Sequence, residues 1–89
     1  MNIRRTVRIV NRRGLHARAS AKFVTLASSQ PTEILVEKDG SSVTGTSIMG
    51  LMMLGAAMGD EITISAQGVD AEAAVSALID LVEARFGED

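Results

Sequence analysis

Residues 34–43 read ILVEKDGSSV, and this stretch decides the fold because it predicts two short strands joined by a tight turn. At its centre stand Asp39 and Gly40, a pair that supplies the positive φ angles required by a two-residue hairpin turn. The flanking residues include β-branched side chains, which favour strands. We therefore predict an antiparallel hairpin here, and the remaining elements must pack around it.

On the N-terminal side of the hairpin, the sequence predicts one strand and one helix. Ile3, Val7 and Ile9 alternate with polar residues, as in a strand that buries one face. Residues 17–28 suit a helix, and Pro31 follows its end. The side chains expected on or beside the buried face of this helix are Ala21, Phe23, Val24 and Ala27.

On the C-terminal side, the sequence predicts a short helix, a strand and a longer helix. Ser47 precedes the apolar segment 48–54 and Gly55 follows it, which fits a helix with a serine N-cap and a glycine after its last turn. Ile62 and Ile64 alternate with polar residues and indicate a strand. A final helix is bounded by Asp70 and Gly87, and its apolar residues at helical spacing are Val75, Leu78, Ile79, Val82 and Phe86.

The predicted order of elements is βαββαβα. Four strands and three helices in this order predict an α+β fold, an open-faced β-sandwich in which three helices cover one face of a four-stranded antiparallel sheet. The 89 residues contain no repeat or linker, so we expect one domain spanning residues 1–89.

The composition excludes several kinds of function. The chain has no cysteine and one histidine, so neither disulfide bonds nor a structural zinc site is expected. No apolar run reaches the roughly 18 residues that a membrane span needs. The N-terminal segment MNIRRTVRIV does not resemble a secretory signal. We expect a cytoplasmic protein that needs no metal or cofactor and does not bind membranes.

Charge is distributed unevenly along the chain. Residues 1–32 hold seven of the nine basic residues and none of the eleven acidic ones. The only histidine, His16, lies in this basic segment. Because positive charge attracts anions, we expect the ligand or partner of this segment to be anionic.

The segment from Gly14 to Arg18 combines features that phosphoryl transfer requires. His16 stands where a loop meets the predicted start of a helix, and the first backbone N–H groups of a helix lack intrahelical partners and bind anions. Neutral imidazole is a nucleophile, and histidine side chains in general are available in this form near pH 7, because their unperturbed pKa is about 6.5. Arg18 can hold phosphoryl oxygens with its planar set of donors. Because the motif is short, an ordinary histidine at the end of a loop remains the alternative.

Two segments together resemble a known protein family. GLHARASAKF, residues 14–23, is similar to the active-site segment of the HPr family, the histidine-containing phosphocarriers of the phosphoenolpyruvate-dependent phosphotransferase system. TSIMGLMMLGA, residues 46–56, is similar to the family's second signature, around its regulatory serine. Length and element order also agree, so the resemblance covers essentially the whole chain. It implies a βαββαβα open-faced sandwich, in agreement with the order of elements above.

The resemblance implies a role for the residues of the first segment. His16 matches the histidine that carries the phosphoryl group on Nδ1, and Arg18 matches the arginine that assists transfer. The backbone N–H groups of Ala17, Arg18 and Ala19 are expected to bind the phosphate. Ala19 departs from the family, which commonly has proline there, and its N–H could donate to the phosphate or to His16.

The second segment predicts regulation and partner binding. The resemblance implies that Ser47, besides its role as an N-cap, is the target of an ATP-dependent HPr kinase/phosphorylase. It also implies that Ile48, Met49 and Met52 dock on partner proteins. A short helix cannot bury every side, and flexible methionine suits a surface that binds several partners.

The implied function is that of a carrier and not of an enzyme. Phosphorylated Enzyme I would donate the phosphoryl group to His16 of a monomeric carrier, and an EIIA-type protein would accept it. The sequence leaves open whether the chain serves sugar transport, the nitrogen-related branch called NPr, or a purely regulatory branch, because these branches share the same chemistry.

Two functions outside this family would also use a basic segment. A small RNA-binding domain is disfavoured because base stacking needs aromatic side chains, and Phe23 and Phe86 are the only two in the chain. We therefore expect no nucleic-acid binding. A regulatory domain that binds a small anion would hold it with the same arginines, and this alternative predicts no covalent phosphate on His16.

Overall fold

The computed structural model describes residues 1–88, in which four strands form one sheet. The strands are β1 (Asn2–Arg8), β2 (Leu35–Lys38), β3 (Ser41–Thr44) and β4 (Glu61–Gln67). The helices are α1 (Ala17–Ser28), α2 (Ile48–Met53) and α3 (Ala71–Glu83), and a short 3₁₀ turn covers Arg85–Gly87. Apart from this last turn, the elements follow the predicted order βαββαβα.

The sheet has the order β1-β4-β2-β3, and all neighbouring strands are antiparallel. The last strand in the sequence, β4, therefore lies between β1 and β2. It pairs along its whole length with β1, from Gln67 opposite Asn2 to Glu61 opposite Arg8. The predicted α+β open-faced sandwich is confirmed.

The hairpin that joins β2 and β3 has the turn that its sequence predicts. Asp39 and Gly40 both have positive φ angles, of 51° and 86°. Lys38 faces Ser41 across the turn, so the connection consists of two residues. Two adjacent residues are therefore enough to encode this part of the fold.

One face of the sheet carries the core. In β4, Ile62, Ile64 and Ala66 are buried, whereas the residues between them are more exposed. α3 packs over β1 and β4, and α1 packs against both α2 and α3. On the open face, Thr6 and Thr63 form a hydrogen bond of 3.0 Å between β1 and β4.

The buried face of α1 differs from the predicted one. Ala19, Phe23 and Ala27 are buried at intervals of four residues, whereas Ala21 and Val24 are only half-buried. Val24 nevertheless packs against the core, so the prediction was wrong only for Ala21, which was placed on this face because it is apolar. A helix repeats every ~3.6 residues, and the large Phe23 ring determines which side of α1 faces the core.

The end of α3 also differs from the prediction. The predicted helical spacing extends to Phe86, but α3 ends at Glu83. Arg85, Phe86 and Gly87 have positive φ angles of 59°, 54° and 75°, so the chain makes a left-handed turn. The turn still buries the Phe86 ring, and Lys22 Nζ of α1 donates a hydrogen bond of 2.7 Å to the Phe86 carbonyl. Apolar spacing could not distinguish a longer helix from a turn that buries the same ring.

Candidate functional site

The loop before α1 is held against the segment that follows α2. Leu15 donates its backbone N–H to the Ala56 carbonyl at 3.0 Å. Gly14 has a φ angle of +63°, and a Cβ atom at this position would lie 2.3 Å from the Ala56 oxygen. The backbone angle and the close approach both require glycine. Together these contacts give His16, the next residue after Leu15, a defined position.

His16 is the N-cap residue of α1, but its side chain does not cap the helix. Its backbone is extended, with φ −74° and ψ 179°, and the ring makes no capping hydrogen bond. The N–H of Ser20 donates to the His16 carbonyl at 2.9 Å. The N–H groups of Ala17, Arg18 and Ala19 precede this bond and have no partner within the helix. Ala17 and Arg18 are exposed, and Ala19 is fully buried.

The imidazole of His16 contacts the carboxylate of Glu88. The ring nitrogen Nε2 lies 3.0 Å from Oε1 and 2.9 Å from Oε2 of Glu88. Asn11 is fully buried, and its Nδ2 donates to Glu88 Oε1 and to the Gly14 carbonyl, both at 2.9 Å. The His16 and Glu88 side chains are 14% and 17% exposed. The ring therefore has a fixed orientation at the edge of the solvent.

Glu88 is ionised at neutral pH. Hydrogen bonds from Asn11 and His16 lower the pKa of its carboxyl below the ordinary value of 4.5, and the charges of His16 and Arg18 act in the same direction. An ionised carboxylate can only accept hydrogen bonds. The charge on Glu88 is therefore a permanent feature of the surroundings of His16 near neutral pH.

The six arginines of the basic segment form two groups that differ in their partners. Arg12, Arg13 and Arg18 flank His16, are exposed, and form no ion pair with another residue of the range 1–88. Unpaired positive charge is therefore concentrated around His16, where it attracts anions. The arginines of β1 are paired instead: Arg4 with Glu37 at 3.1 Å, Arg5 with Glu72 at 3.3 Å and Arg8 with Glu61 at 3.5 Å.

At the start of α2, the side chain of Ser47 does cap the helix. Ser47 Oγ accepts a hydrogen bond of 2.9 Å from the N–H of Gly50, which confirms the predicted N-cap. Leu51 is buried, whereas the other large apolar side chains of α2 are exposed. These four residues, here called the α2 patch, are Ile48, Met49, Met52 and Met53, with exposed fractions of 40%, 67%, 40% and 80%.

In the chain, α2 lies between Ser47 and the segment that bonds to the loop of His16. Ser47 precedes α2, and Ala56, which bonds to that loop, follows it. A helix of six residues is about 9 Å long. Along the chain, α2 therefore joins the two groups of predicted site residues, because it begins after Ser47 and leads to the segment that bonds to the loop of His16.

Comparison with known proteins identifies the family. A family model described as "PTS HPr component phosphorylation site" matches residues 3–84. The chain belongs to the HPr family. Phosphocarrier protein HPr of Neisseria meningitidis serogroup A is 48% identical over 86 residues, which cover 97% of each chain. Phosphocarrier protein NPr of Shewanella violacea is 42% identical over 86 residues, which cover 97% of this chain and 94% of that protein.

Solved HPr structures have the same fold. HPr-C-His from Thermoanaerobacter tengcongensis is 47% identical, with a TM-score of 0.92 over 98% of both chains. HPr from Bacillus anthracis is 41% identical, with a TM-score of 0.86 over 91% of this chain and 96% of that one. These similarities confirm the resemblance found in the two sequence segments.

Membership of the HPr family supports phosphocarrier function in the phosphotransferase system. This function fits the prediction of a carrier rather than an enzyme. Over residues 1–88, no helix has both the length and the apolar character that crossing a membrane requires. The described part of the chain also lacks a group of three or more side chains suited to hold a metal ion.

Sequence reasoning missed two residues that contact each other beside His16. Asn11 lies in the predicted loop, and Glu88 lies beyond the predicted last helix. The contact between Glu88 and His16 joins residues 72 positions apart, so no local pattern could reveal it. The one available signal was Gly87, because glycine allows the chain to change direction just before Glu88.

Proposed function

We propose that the chain accepts a phosphoryl group on His16 from phosphorylated Enzyme I and passes it to an EIIA-type protein. The observation that carries this proposal is the position of His16 at an uncapped helix start, with exposed Arg18 beside it. This arrangement combines a nucleophile, a cation and backbone donors, which are the groups that phosphoryl transfer uses.

Each group has its own role in this proposal. Nδ1 of His16 attacks phosphorus and holds the phosphoryl group as a phosphoramidate. Arg18 binds phosphoryl oxygens with its guanidinium, and the N–H groups of Ala17 and Arg18 donate to the same oxygens. The exposed Arg12 and Arg13 attract an anionic partner to the site.

Ala19 has a smaller part in binding the phosphate. It is fully buried, so its N–H reaches a phosphoryl group only if the start of α1 opens locally. Proline, the common residue of the family here, would have no N–H at all. The proposal therefore assigns the phosphate mainly to Ala17 and Arg18.

The test is phosphorylation by purified components. The chain is incubated with phosphoenolpyruvate and Enzyme I, and we expect one phosphoryl group that is acid-labile and alkali-stable. Acceptance by an EIIA-type protein in a second step tests the onward transfer. His16→Ala should accept none, whereas Ser47→Ala, the matched control at the other helix start, should accept one. Stoichiometric acceptance by His16→Ala would contradict the assignment.

The α2 patch is the proposed docking surface, with Ile48, Met49 and Met52 at its centre. Its apolar side chains can lose water against a partner, while the basic residues near His16 steer the encounter. Met49→Glu should weaken the complex with Enzyme I without unfolding the chain. Val69→Glu is the control, because Val69 is 97% exposed and lies outside the α2 patch. It follows the C-terminal end of β4, whereas α2 precedes the N-terminal end of that strand. Equal affinities of the two variants for Enzyme I would mean that the partner docks on a surface other than the α2 patch.

Ser47 is the proposed regulatory site of an HPr kinase/phosphorylase. A phosphate adds about −1.5 to −2 charge beside the α2 patch, which must lose water on docking. The helix should survive, because its start favours negative charge. Kinase-treated protein should therefore accept phosphate on His16 more slowly, at an unchanged melting temperature. Equal rates for treated and untreated protein would leave Ser47 as a cap alone.

The Enzyme I that phosphorylates the chain faster decides whether the chain serves the sugar-transport or the nitrogen-related branch of the phosphotransferase system. Relatives named HPr and NPr are both similar to the chain. Rates of phosphorylation by a sugar-transport Enzyme I and by a nitrogen-related Enzyme I, measured side by side, distinguish the two branches. We further propose a cytoplasmic monomer, which cell fractionation and light scattering test.

A further inference from the structure

The carboxylate of Glu88 faces one nitrogen of His16 and leaves the other alone. We infer that Glu88 is a positioning residue, which holds the proton of His16 on Nε2 and thereby leaves Nδ1 free to attack phosphorus. The inference rests on the proposed function, because it assigns one more residue to the same transfer.

The geometry around the ring determines where its proton lies. Both carboxylate oxygens of Glu88 are within 3.0 Å of Nε2. Since an ionised carboxylate only accepts hydrogen bonds, the nitrogen that faces it carries the proton. A neutral imidazole has one such proton, so Nδ1 carries the lone pair. Among the residues 1–88, none forms a hydrogen bond with Nδ1 of His16.

Glu88 is itself held from two sides. Asn11 Nδ2 donates to Glu88 Oε1, and the second bond of Asn11, to the Gly14 carbonyl, fixes that amide. The left-handed turn before Glu88 is anchored by the buried Phe86 ring and by the bond from Lys22 to the Phe86 carbonyl. Positive φ angles are unfavourable at the two non-glycine residues of this turn, so these contacts are needed to maintain it.

The same carboxylate stabilises the charge that develops during transfer. The lone pair of Nδ1 forms the bond to phosphorus, while the bond from phosphorus to the donor protein breaks and its electron pair returns to the donor. The proton stays on Nε2, so the ring becomes a cation. Glu88 lies 2.9 Å from that nitrogen, as the carboxylate of a hydrolytic triad lies beside its histidine. On transfer to the acceptor, the ring leaves as neutral imidazole with the proton still on Nε2.

Nitrogen-15 spectra test the position of the proton directly. His16 is the only histidine, so the labelled ring gives a single pair of resonances. In wild type at alkaline pH, we expect a protonated Nε2 and an unprotonated Nδ1. Glu88→Ala should give a mixture of both tautomers. Glu88→Gln should move the proton towards Nδ1, because Asn11 keeps the amide oxygen and leaves the amide NH₂ facing the ring.

The rate of phosphoryl acceptance should follow the tautomer. It should fall at least in proportion to the fraction of rings in which Nδ1 is free, so we expect a loss of at least about twofold for Glu88→Ala and at least about tenfold for Glu88→Gln. Glu83→Gln removes the same charge from the exposed end of α3 and should change neither spectrum nor rate. Thermal melts should show all three variants folded, because neither glutamate is part of the core.

Unchanged spectra in both Glu88 variants would overturn the inference. Altered spectra with rates equal to wild type would also overturn it, because the tautomer would then not matter for transfer. A wild-type protein that accepts no phosphoryl group would overturn the proposed function, and the inference with it. Acceptance by wild type together with unchanged spectra would overturn the inference alone.

Discussion

The starts of α1 and α2 differ in what their N-cap side chains do. At α2, Ser47 turns its hydroxyl back to the N–H of Gly50 and satisfies one open donor of the helix. At α1, His16 occupies the same position but turns its ring towards Glu88 and makes no capping bond. We call the start of α2 closed, because its N-cap side chain binds a backbone N–H of the helix. We call the start of α1 open, because its backbone N–H groups remain available to bind an anion.

This difference shows that the two N-cap side chains serve different purposes. The side chain of Ser47 stabilises its helix, whereas the side chain of His16 does not cap its helix and is available for chemistry. A capping side chain contributes about 0.5–2 kcal/mol. With six residues, α2 depends on such a contribution, because short helices are marginal by themselves. With twelve residues and a buried face, α1 is held by packing and can do without the cap. An open helix start is thus tolerated where the core already stabilises the helix.

Gly14→Ala should have the largest effect, because it displaces the loop that positions the open helix start. The new Cβ would lie 2.3 Å from the Ala56 oxygen at a φ angle of +63°. In the matched control Gly55→Ala, φ is +65° and the Cβ would meet nothing within 4 Å. We expect losses of about 1–2 kcal/mol for Gly55→Ala and roughly 2–5 kcal/mol for Gly14→Ala. Urea unfolding measures both, and equal losses would mean that the loop is not tightly held.

Ser47→Ala should have the next largest effect, because it opens the closed helix start. The lost bond to Gly50 should cost about 1 kcal/mol of unfolding free energy, while His16 still accepts phosphate. Ser47→Asp retains a capping oxygen and should be nearly as stable as wild type. Thermal melts and phosphorylation assays on the same samples check both statements. A Ser47→Ala variant as stable as wild type would mean that the Ser47 side chain does not stabilise α2, so the two helix starts would not differ in this respect.

Arg18→Ala should change the stability of the open helix start very little. Arg18 is exposed, so the loss should be below ~0.5 kcal/mol. Phosphoryl acceptance should slow by at least roughly tenfold, because the proposed function has Arg18 bind the transferred oxygens. Arg4→Ala is the control for lost positive charge, since Arg4 lies in β1 and pairs with Glu37. If Arg18→Ala melts far below wild type with unchanged transfer, Arg18 is a structural residue.

Acid pH should produce the smallest difference between variants, and we expect it at the start of α1, where Glu88 titrates. Hydrogen bonds from Asn11 and His16 lower the pKa of Glu88 below its usual 4.5. Such a carboxyl adds stability above its unfolded pKa, and this stability disappears as pH falls through the folded value. Between about pH 5 and about pH 3, wild type should therefore lose slightly more stability than Glu88→Gln. A difference in melting temperature that stays constant over this range would contradict the expectation.

Local patterns predicted the parts of the molecule that depend on neighbouring residues. The turn at Asp39 and Gly40 and the cap at Ser47 each involve residues at most three positions apart. The place of His16 at the start of α1 also follows from a short segment. The same short segment suggested the roles of His16 and Arg18, the family resemblance made them specific, and the phosphorylation assays test them.

Contacts between distant residues could not be predicted in this way. The alternating residues of β4 indicate a strand but do not show that it lies between β1 and β2. Glu88 reaches His16 only because Arg85 and Phe86 adopt left-handed angles, which their residue types disfavour. Buried packing of the Phe86 ring overrides that local preference, and packing is not visible in a short stretch of sequence.

The strand order also determines when during synthesis the sheet can be completed. β1 pairs only with β4, so it lacks a partner strand until residues 61–67 have been made. At roughly 5–20 residues per second, this wait lasts several seconds. His16 is translated early, but its loop bonds to Ala56 and its ring to Glu88. A nascent chain that still lacks Ala56 and Glu88 therefore has His16 without the contacts that position its loop and its ring.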